Sequence, residues 1–153
     1  VRIREAREKD LPALLELARQ VEPLFGPMVE EPGFVPGLSG AVRSGDVLCA
    51  DSRSEGGTLA GAVIIAPEPN EVAWLAVAHS ARGRGAGRSL LEKALERLDS
   101  RRPVRVVTFA PGVVEGEAAR RLYVGCGFRD AGNQGRNPTG FPVVLMQRPV
   151  TVP

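Results

Sequence analysis

The segment Arg82-Gly83-Arg84-Gly85-Ala86-Gly87-Arg88 restricts this chain more than any other. Three glycines alternate with basic or small residues. They stand where the apolar stretch Trp74-Leu75-Ala76-Val77 gives way to the helical pattern opening at Ser89-Leu90-Leu91. Glycine removes the Cβ that keeps a ligand away from the backbone. A helix start adds unpaired N–H groups and the positive end of the peptide dipole. A loop of this kind cradles an anion, and Arg82, Arg84 and Arg88 add formal charge. The ligand class it fits is a polyphosphate.

The rest of the composition narrows the setting. A chain of 153 residues is the size of one domain with a real core, and 1–153 is read as one unit. The net charge of +2 is too small for a general polyanion binder, so no nucleic-acid partner is expected. Cys49 and Cys126 lie far apart with no C-x-x-C, and His79 is the single histidine. Neither a disulfide framework nor a metal site is expected. The start, Val1-Arg2-Ile3-Arg4, does not read as a signal peptide. No apolar run is long enough to span a bilayer. A cytoplasmic location and no membrane partner are the expectation.

Periodicity places the elements. Val1 to Arg4 alternates as a strand. A helix follows from Leu11, with Asp10 as N-cap and Pro12 in its first turn. Pro23 to Gly40 carries four prolines and several glycines and reads as a loop, with Phe25, Met28 and Phe34 set into it as a pocket lining. Asp46–Ala50 and Leu59–Ala66 form a hairpin around a turn at Ser52–Gly57. Glu71–Ala78 is the next strand. After the glycine loop comes a helix of about three turns, its apolar face Leu90, Leu91, Ala94, Leu95 and Leu98. Val104–Phe109 is a strand, Glu117–Val124 a short helix, and Phe128–Asp130 and Phe141–Met146 the last strands. The strand before the loop and Val104–Phe109 make one parallel crossover in a mixed sheet.

Three phosphate loops compete for the central segment. A Walker loop requires G-x-x-x-x-G-K-[ST]; here Arg88 replaces the lysine and Arg82 the first glycine. A dinucleotide fingerprint requires G-x-G-x-x-G; Gly83 and Gly85 fit, but Arg88 takes the third position. The acyl-CoA pattern [RQ]-x-x-G-x-[GA] is met in full by Arg82 to Gly87. Downstream, Ala119-Arg120-Arg121-Leu122-Tyr123-Val124-Gly125-Cys126-Gly127-Phe128 has the form A-x-x-L-Y-x-x-x-G-F.

With Leu75-Ala76-Val77 ahead of the loop, these segments resemble the GNAT superfamily of N-acetyltransferases. The resemblance is sharp over Trp74–Leu98 and Ala118–Phe128. It implies an α/β fold: a mixed, mostly antiparallel central sheet of about six to seven strands with a splayed parallel pair, flanked by about four helices. It implies acetyl-CoA as co-substrate and an N-acetyltransferase reaction. In that reading Arg82, Gly83, Arg84, Gly85, Ala86, Gly87 and Arg88 hold the pyrophosphate. Leu75, Ala76 and Val77 hold the pantetheine arm. Tyr123 protonates the departing thiolate, and the amide of Val77 or a neighbour faces the thioester oxygen. The acceptor is a primary amine of a small molecule or protein, chosen by Pro23–Gly40 and Ala131–Phe141. Homodimers occur in the superfamily and remain an option. The chain departs from the pattern at Gly116, where members often carry Asn, and at Ala81.

Several alternatives stay open at this level. Tyr123 also fits an ordinary core position. His79 and Glu71 are weak candidates for a general base. Cys126 is a weak candidate nucleophile. Glu30 and Glu31 read equally as an acidic acceptor site or a solvated loop. Another class of function, a non-catalytic acyl-CoA sensor of the same fold, would keep the loop without needing Tyr123.

Overall fold

The computed structural model describes residues 2–52 and 58–151. Most of the turn expected at Ser52–Gly57 therefore lies outside the described residues. The elements run β1 (Ile3–Glu5), α1 (Leu11–Phe25), α2 (Phe34–Arg43), β2 (Val47–Asp51), β3 (Leu59–Ala66), β4 (Glu71–Val77), α3 (Ala86–Arg97), β5 (Val104–Phe109), α4 (Glu117–Gly125), β6 (Arg129–Arg136) and β7 (Pro142–Arg148). The strands form one seven-stranded sheet in the order β1-β2-β3-β4-β5-β7-β6. All neighbours are antiparallel except β4 and β5. This is the expected mixed sheet with four helices.

The apolar stripes of the helices cover its two faces. Leu90, Leu91 and Ala94 of α3 and Tyr123 of α4 join Val63, Val72, Val104 and Met146 in one core. Leu14, Leu17 and Val21 of α1 and Leu38 and Val42 of α2 join Val47, Cys49 and Ala62 in the other. Central strands β2 and β3 are buried on both sides, which explains their continuous apolar runs.

Pro23 to Gly40 is a loop only over 26–33. Helix α1 continues through Pro23 to Phe25, and α2 starts at Phe34. The prolines are tolerated for positional reasons. Pro36 lies in the first turn of α2, where a backbone N–H has no intrahelical partner to lose. Pro23 falls in the last turn of α1 and removes a single bond there. Strand β6 is also longer than Phe128–Asp130, reaching Arg136. It is exposed along its whole length, so no buried alternation marked it in the sequence. Asp10 holds the position before α1, but its carboxylate does not cap that helix. It accepts the Arg7 N–H at 2.7 Å and two bonds from Arg4, at 2.8 and 2.9 Å.

One junction positions the candidate site. β4 and β5 pair at a single register position, Glu71 opposite Arg105. The Arg105 N–H donates to the Asn70 carbonyl at 3.0 Å. Asn70 is 1% exposed and left-handed, with φ +71°. Asparagine tolerates that conformation better than branched residues do. Its Oδ1 accepts the Asp99 N–H at 2.8 Å, and its Nδ2 donates to the carbonyls of Asp99, Arg102 and Pro103 at 2.9, 3.4 and 3.2 Å. A single amide thus ties the start of β4 to the connection that feeds β5.

Replacing Asn70 by Ala leaves buried backbone groups unpaired, each costing about 1–3 kcal/mol. Urea unfolding is expected to show a loss of at least about 2 kcal/mol. Asn70→Gly, which removes the backbone strain, is expected to recover only a small part of it.

Candidate active site

Beyond the junction the two parallel strands separate. From Val72 onward, β4 has no strand partner on its β5 side. Ala73 is the extra residue of a bulge, because Ile64 pairs with Trp74 while Ile65 pairs with Val72. A cleft of about 200 Å³ opens between the strands. Val72, Trp74 and Leu75 wall it from β4, Val106, Thr108 and Phe109 from β5, Tyr123 from α4 and Phe25 from α1.

The glycine loop lies past the end of β4 on the open side of this cleft. Gly83 and Gly85 have φ of +76° and +83°, a left-handed conformation that favours glycine. A Cβ at either position would meet nothing within 4 Å, so it is the backbone turn that requires glycine there. Gly85 precedes α3, with no side-chain cap, and its carbonyl accepts the Ser89 N–H at 3.0 Å. The N–H groups of Ala86, Gly87 and Arg88 have no backbone acceptor among the described residues. Gly87 differs from the other two glycines: a Cβ there would lie 3.3 Å from Leu122 and 3.4 Å from Val77. It lets α3 approach α4 and β4. Arg82, Arg84 and Arg88 are not buried, and Arg88 pairs with Glu92 at 3.6 Å.

Tyr123 is buried at the cleft wall, its ring edge-on to Phe128 with centroids 5.5 Å apart. Its hydroxyl has no hydrogen-bond partner among the described residues. Burial pushes the phenol well above its ordinary range, so it stays protonated. Its helix is anchored by Arg120, a residue with no recognisable sequence signal. The guanidinium makes a two-pronged pair with Asp130 at 2.9 and 2.7 Å and donates to the Phe109 carbonyl at 3.2 Å.

The other candidates lie off the cleft. His79 is exposed in a turn after β4, its backbone N–H donating to Gln20 Oε1 at 3.4 Å. Glu71 sits at the closed end, beside the junction. Burial pushes the Cys126 thiol up, which disfavours the nucleophilic thiolate. Glu30 and Glu31 are exposed in the turn between α1 and α2. Met28 and Phe34 pack on the α1–α2 core, and only Phe25 of that aromatic set reaches the cleft.

The far rim is made by a contact not foreseen from the sequence. Asn137 Nδ2 and Thr139 Oγ1 both donate to the Leu24 carbonyl, at 2.9 and 3.0 Å. This clasps the β6–β7 turn to the end of α1. Phe25 then stacks on Phe109 at 5.8 Å, and Phe141 meets Phe109 edge-on at 5.5 Å. A larger cavity of about 330 Å³ lies near the junction, at the other end of β4. Its charges pair within the protein: Arg102 with Glu68, Arg101 with Asp99 and Arg97 with Glu5.

The Acetyltransferase (GNAT) family profile matches residues 26–128, and the chain belongs to that family. No curated protein matches it by sequence. Among solved structures it is similar to the ribosomal-protein-alanine N-acetyltransferase from Brucella melitensis, with TM-score 0.75 and 25% identity over 97% of this chain and 99% of that one. The ribosomal-protein-S18-alanine N-acetyltransferase from Escherichia coli superposes with TM-score 0.67 and 20% identity over 99% and 95%. A chain of the NatC complex bound to Gag peptide and CoA does so with TM-score 0.73 and 19% identity, over 98% of each. No described helix is long and apolar enough to cross a membrane.

Gly116, where the chain departs from the family pattern, has a packing reason. A Cβ there would lie 2.3 Å from the Phe109 Cβ and 2.7 Å from its ring. Gly116→Ala is expected to destabilise by about 1–3 kcal/mol in thermal or urea unfolding, with Gly116→Asn worse. Wild-type stability in Gly116→Asn would remove this explanation.

Proposed function

We propose that the protein is an acetyl-CoA-dependent N-acetyltransferase that moves an acetyl group to a primary amine of a small molecule or protein, by direct attack in a ternary complex. The observation that carries this is the cleft itself: apolar, open toward the glycine loop, and walled by a buried, protonated Tyr123. Bound acetyl-CoA supplies an activated acetyl thioester.

The chain's own residues do the rest. The left-handed glycines and the free N–H groups at the start of α3 take the pyrophosphate oxygens, and Arg82, Arg84 and Arg88 add attraction. Leu75, Ala76 and Val77 run along the pantetheine arm, and Leu75 and Val77 turn the backbone groups that β3 leaves free toward its amides. The amide of Val77 or a neighbour faces the carbonyl oxygen as charge develops there. The amine lone pair forms the new C–N bond, and the C–S bond breaks with its electron pair passing to sulfur. Tyr123 delivers the proton that sulfur takes, and the proton shed by the newly acylated nitrogen restores the phenol. A phenol near 10 giving its proton to a thiolate near 8.5 is uphill by about 2 kcal/mol in water. Burial raises the Tyr123 phenol, so the transfer requires that the same apolar wall raise the departing thiolate by at least as much. A single domain acting in the cytoplasm, with a homodimer as one option for its assembly, completes this proposal.

Tyr123→Phe is expected to lower kcat by about 10- to 1000-fold with little change in KM for acetyl-CoA. The wild-type rate is expected to show no alkaline loss below about pH 10, because the raised phenol is still protonated there. An unchanged rate in Tyr123→Phe would return the residue to a packing role.

Gly85→Val places a branched side chain at a left-handed position in the cradle. It is expected to abolish CoA binding by calorimetry while the far-ultraviolet circular dichroism stays native. Normal affinity would overturn the loop assignment. Tight acetyl-CoA binding by the wild type, with no turnover of any amine, would favour a sensor instead.

A further inference from the structure

We propose that the acceptor is a weakly basic primary amine, of the kind found at a peptide α-amino group, and that lysine-type alkylamines are poor acceptors. This rests on the acetyltransferase reading. The geometry that carries it is the chemistry of the cleft wall. The described residues lining it are hydrocarbon and aromatic apart from Thr108, Trp74 and Tyr123. None is a carboxylate or an imidazole. Trp74 Nε1 is buried without a partner, and as a pure donor it opposes an ammonium instead of holding it.

The charged groups on the surrounding elements are paired, exposed or placed at the closed junction, where Arg105 Nε is buried without a partner. On α1, Glu22 Oε2 accepts the N–H groups of Met28 and Val29 at 2.7 and 2.9 Å. On β4 and β5, Glu71 and Arg105 flank the closed junction. On α4, Glu117 is exposed in the first turn and Arg120 is paired with Asp130. In the β6–β7 turn, Arg136 donates to the Gly140 carbonyl at 2.7 Å. His79 is exposed beyond β4.

Attack needs a nitrogen lone pair, and nothing in this wall removes the proton from an ammonium. The acceptor must therefore enter neutral. At pH 7 an α-amine with pKa near 7.8 is neutral in about one molecule in seven, and a lysine amine near 10.4 in about one in 2,500. The stronger base is the better nucleophile once neutral. By the sensitivity known for thiols, that recovers only about a factor of 10–20. An ammonium in an apolar cleft without a counter-charge is disfavoured as well. Tyr123 is itself buried in this wall.

The test uses wild-type protein, acetyl-CoA and three probes: the peptide Ala-Gly-Lys-Gly-amide, glycinamide and propylamine. Fragmentation mass spectrometry locates the acetyl group on the peptide. Thiol release gives kcat/KM against pH. The expected result at about pH 7 is α-amine over ε-amine by at least about 10-fold and glycinamide over propylamine. The rise of kcat/KM with pH is expected to follow the basicity of each amine. Equal or preferred ε-acetylation overturns the inference. So does an inflection fixed at one pH for all probes, which would reveal a base on the protein; Glu22→Gln and Glu71→Gln then test the carboxylates of α1 and β4. Acetyl-CoA binding with no probe turned over overturns the acetyltransferase reading itself, and this inference with it.

Discussion

The structure depends on a constraint of unusual economy: two parallel strands held together at one position. Most neighbouring strands zip along their length, and β4 does so with β3. Toward β5 it makes one pairing and then leaves. The Asn70 side chain makes that possible, because it satisfies the α3–β5 connection where further ladder bonds would otherwise hold it. The result is a wedge of unpaired backbone inside a folded sheet. Exposed strand edges are normally a liability, and here the cover from α1 and α4 confines the edge to a cavity.

Both ends of the wedge are closed by polar chemistry while its interior is left apolar. At the narrow end the Asn70 amide holds the backbone. At the wide rim the Leu24 carbonyl takes two donors from the β6–β7 turn, and Arg120 locks α4 against Asp130. The charges of the larger cavity are spent on one another. This separation explains why Tyr123 stays neutral, and why the exposed arginines Arg82, Arg84 and Arg88 stand outside the cleft, at the glycine loop.

Much of this was legible in the sequence because it rests on local chemistry. Left-handed turns at Gly83 and Gly85 need glycine, and the helical stripe of Leu90, Leu91 and Ala94 follows from period alone. Other features had no local signature. Asn70 reads as an ordinary turn residue until the connection it clasps is known. Gly116 reads as a lost cap until Phe109 is seen above it. Pro23 and Pro36 suggested irregular chain, although each stands where a helix gives up little by losing an N–H. β6 carries glycines, Asn and Gln and buries no side chain, so its pairing with β7 left no pattern to read. The loop glycines also divide by role. Gly83 and Gly85 serve the backbone turn, whereas Gly87 serves the approach of α3 to α4.

The clasp at Leu24 joins residues 113 and 115 positions apart. A contact so distant along the chain has a temporal meaning, since loop closure over long separations makes such pairings slow to form. During synthesis, α3 and its glycine loop exist before Asn137 and Thr139 have been added. The glycine loop can therefore take shape on a growing chain before the rim of the cleft is tied down. The two halves of the cleft are built at opposite ends of the chain's growth, and only the last hairpin turns an open wedge into an enclosed one.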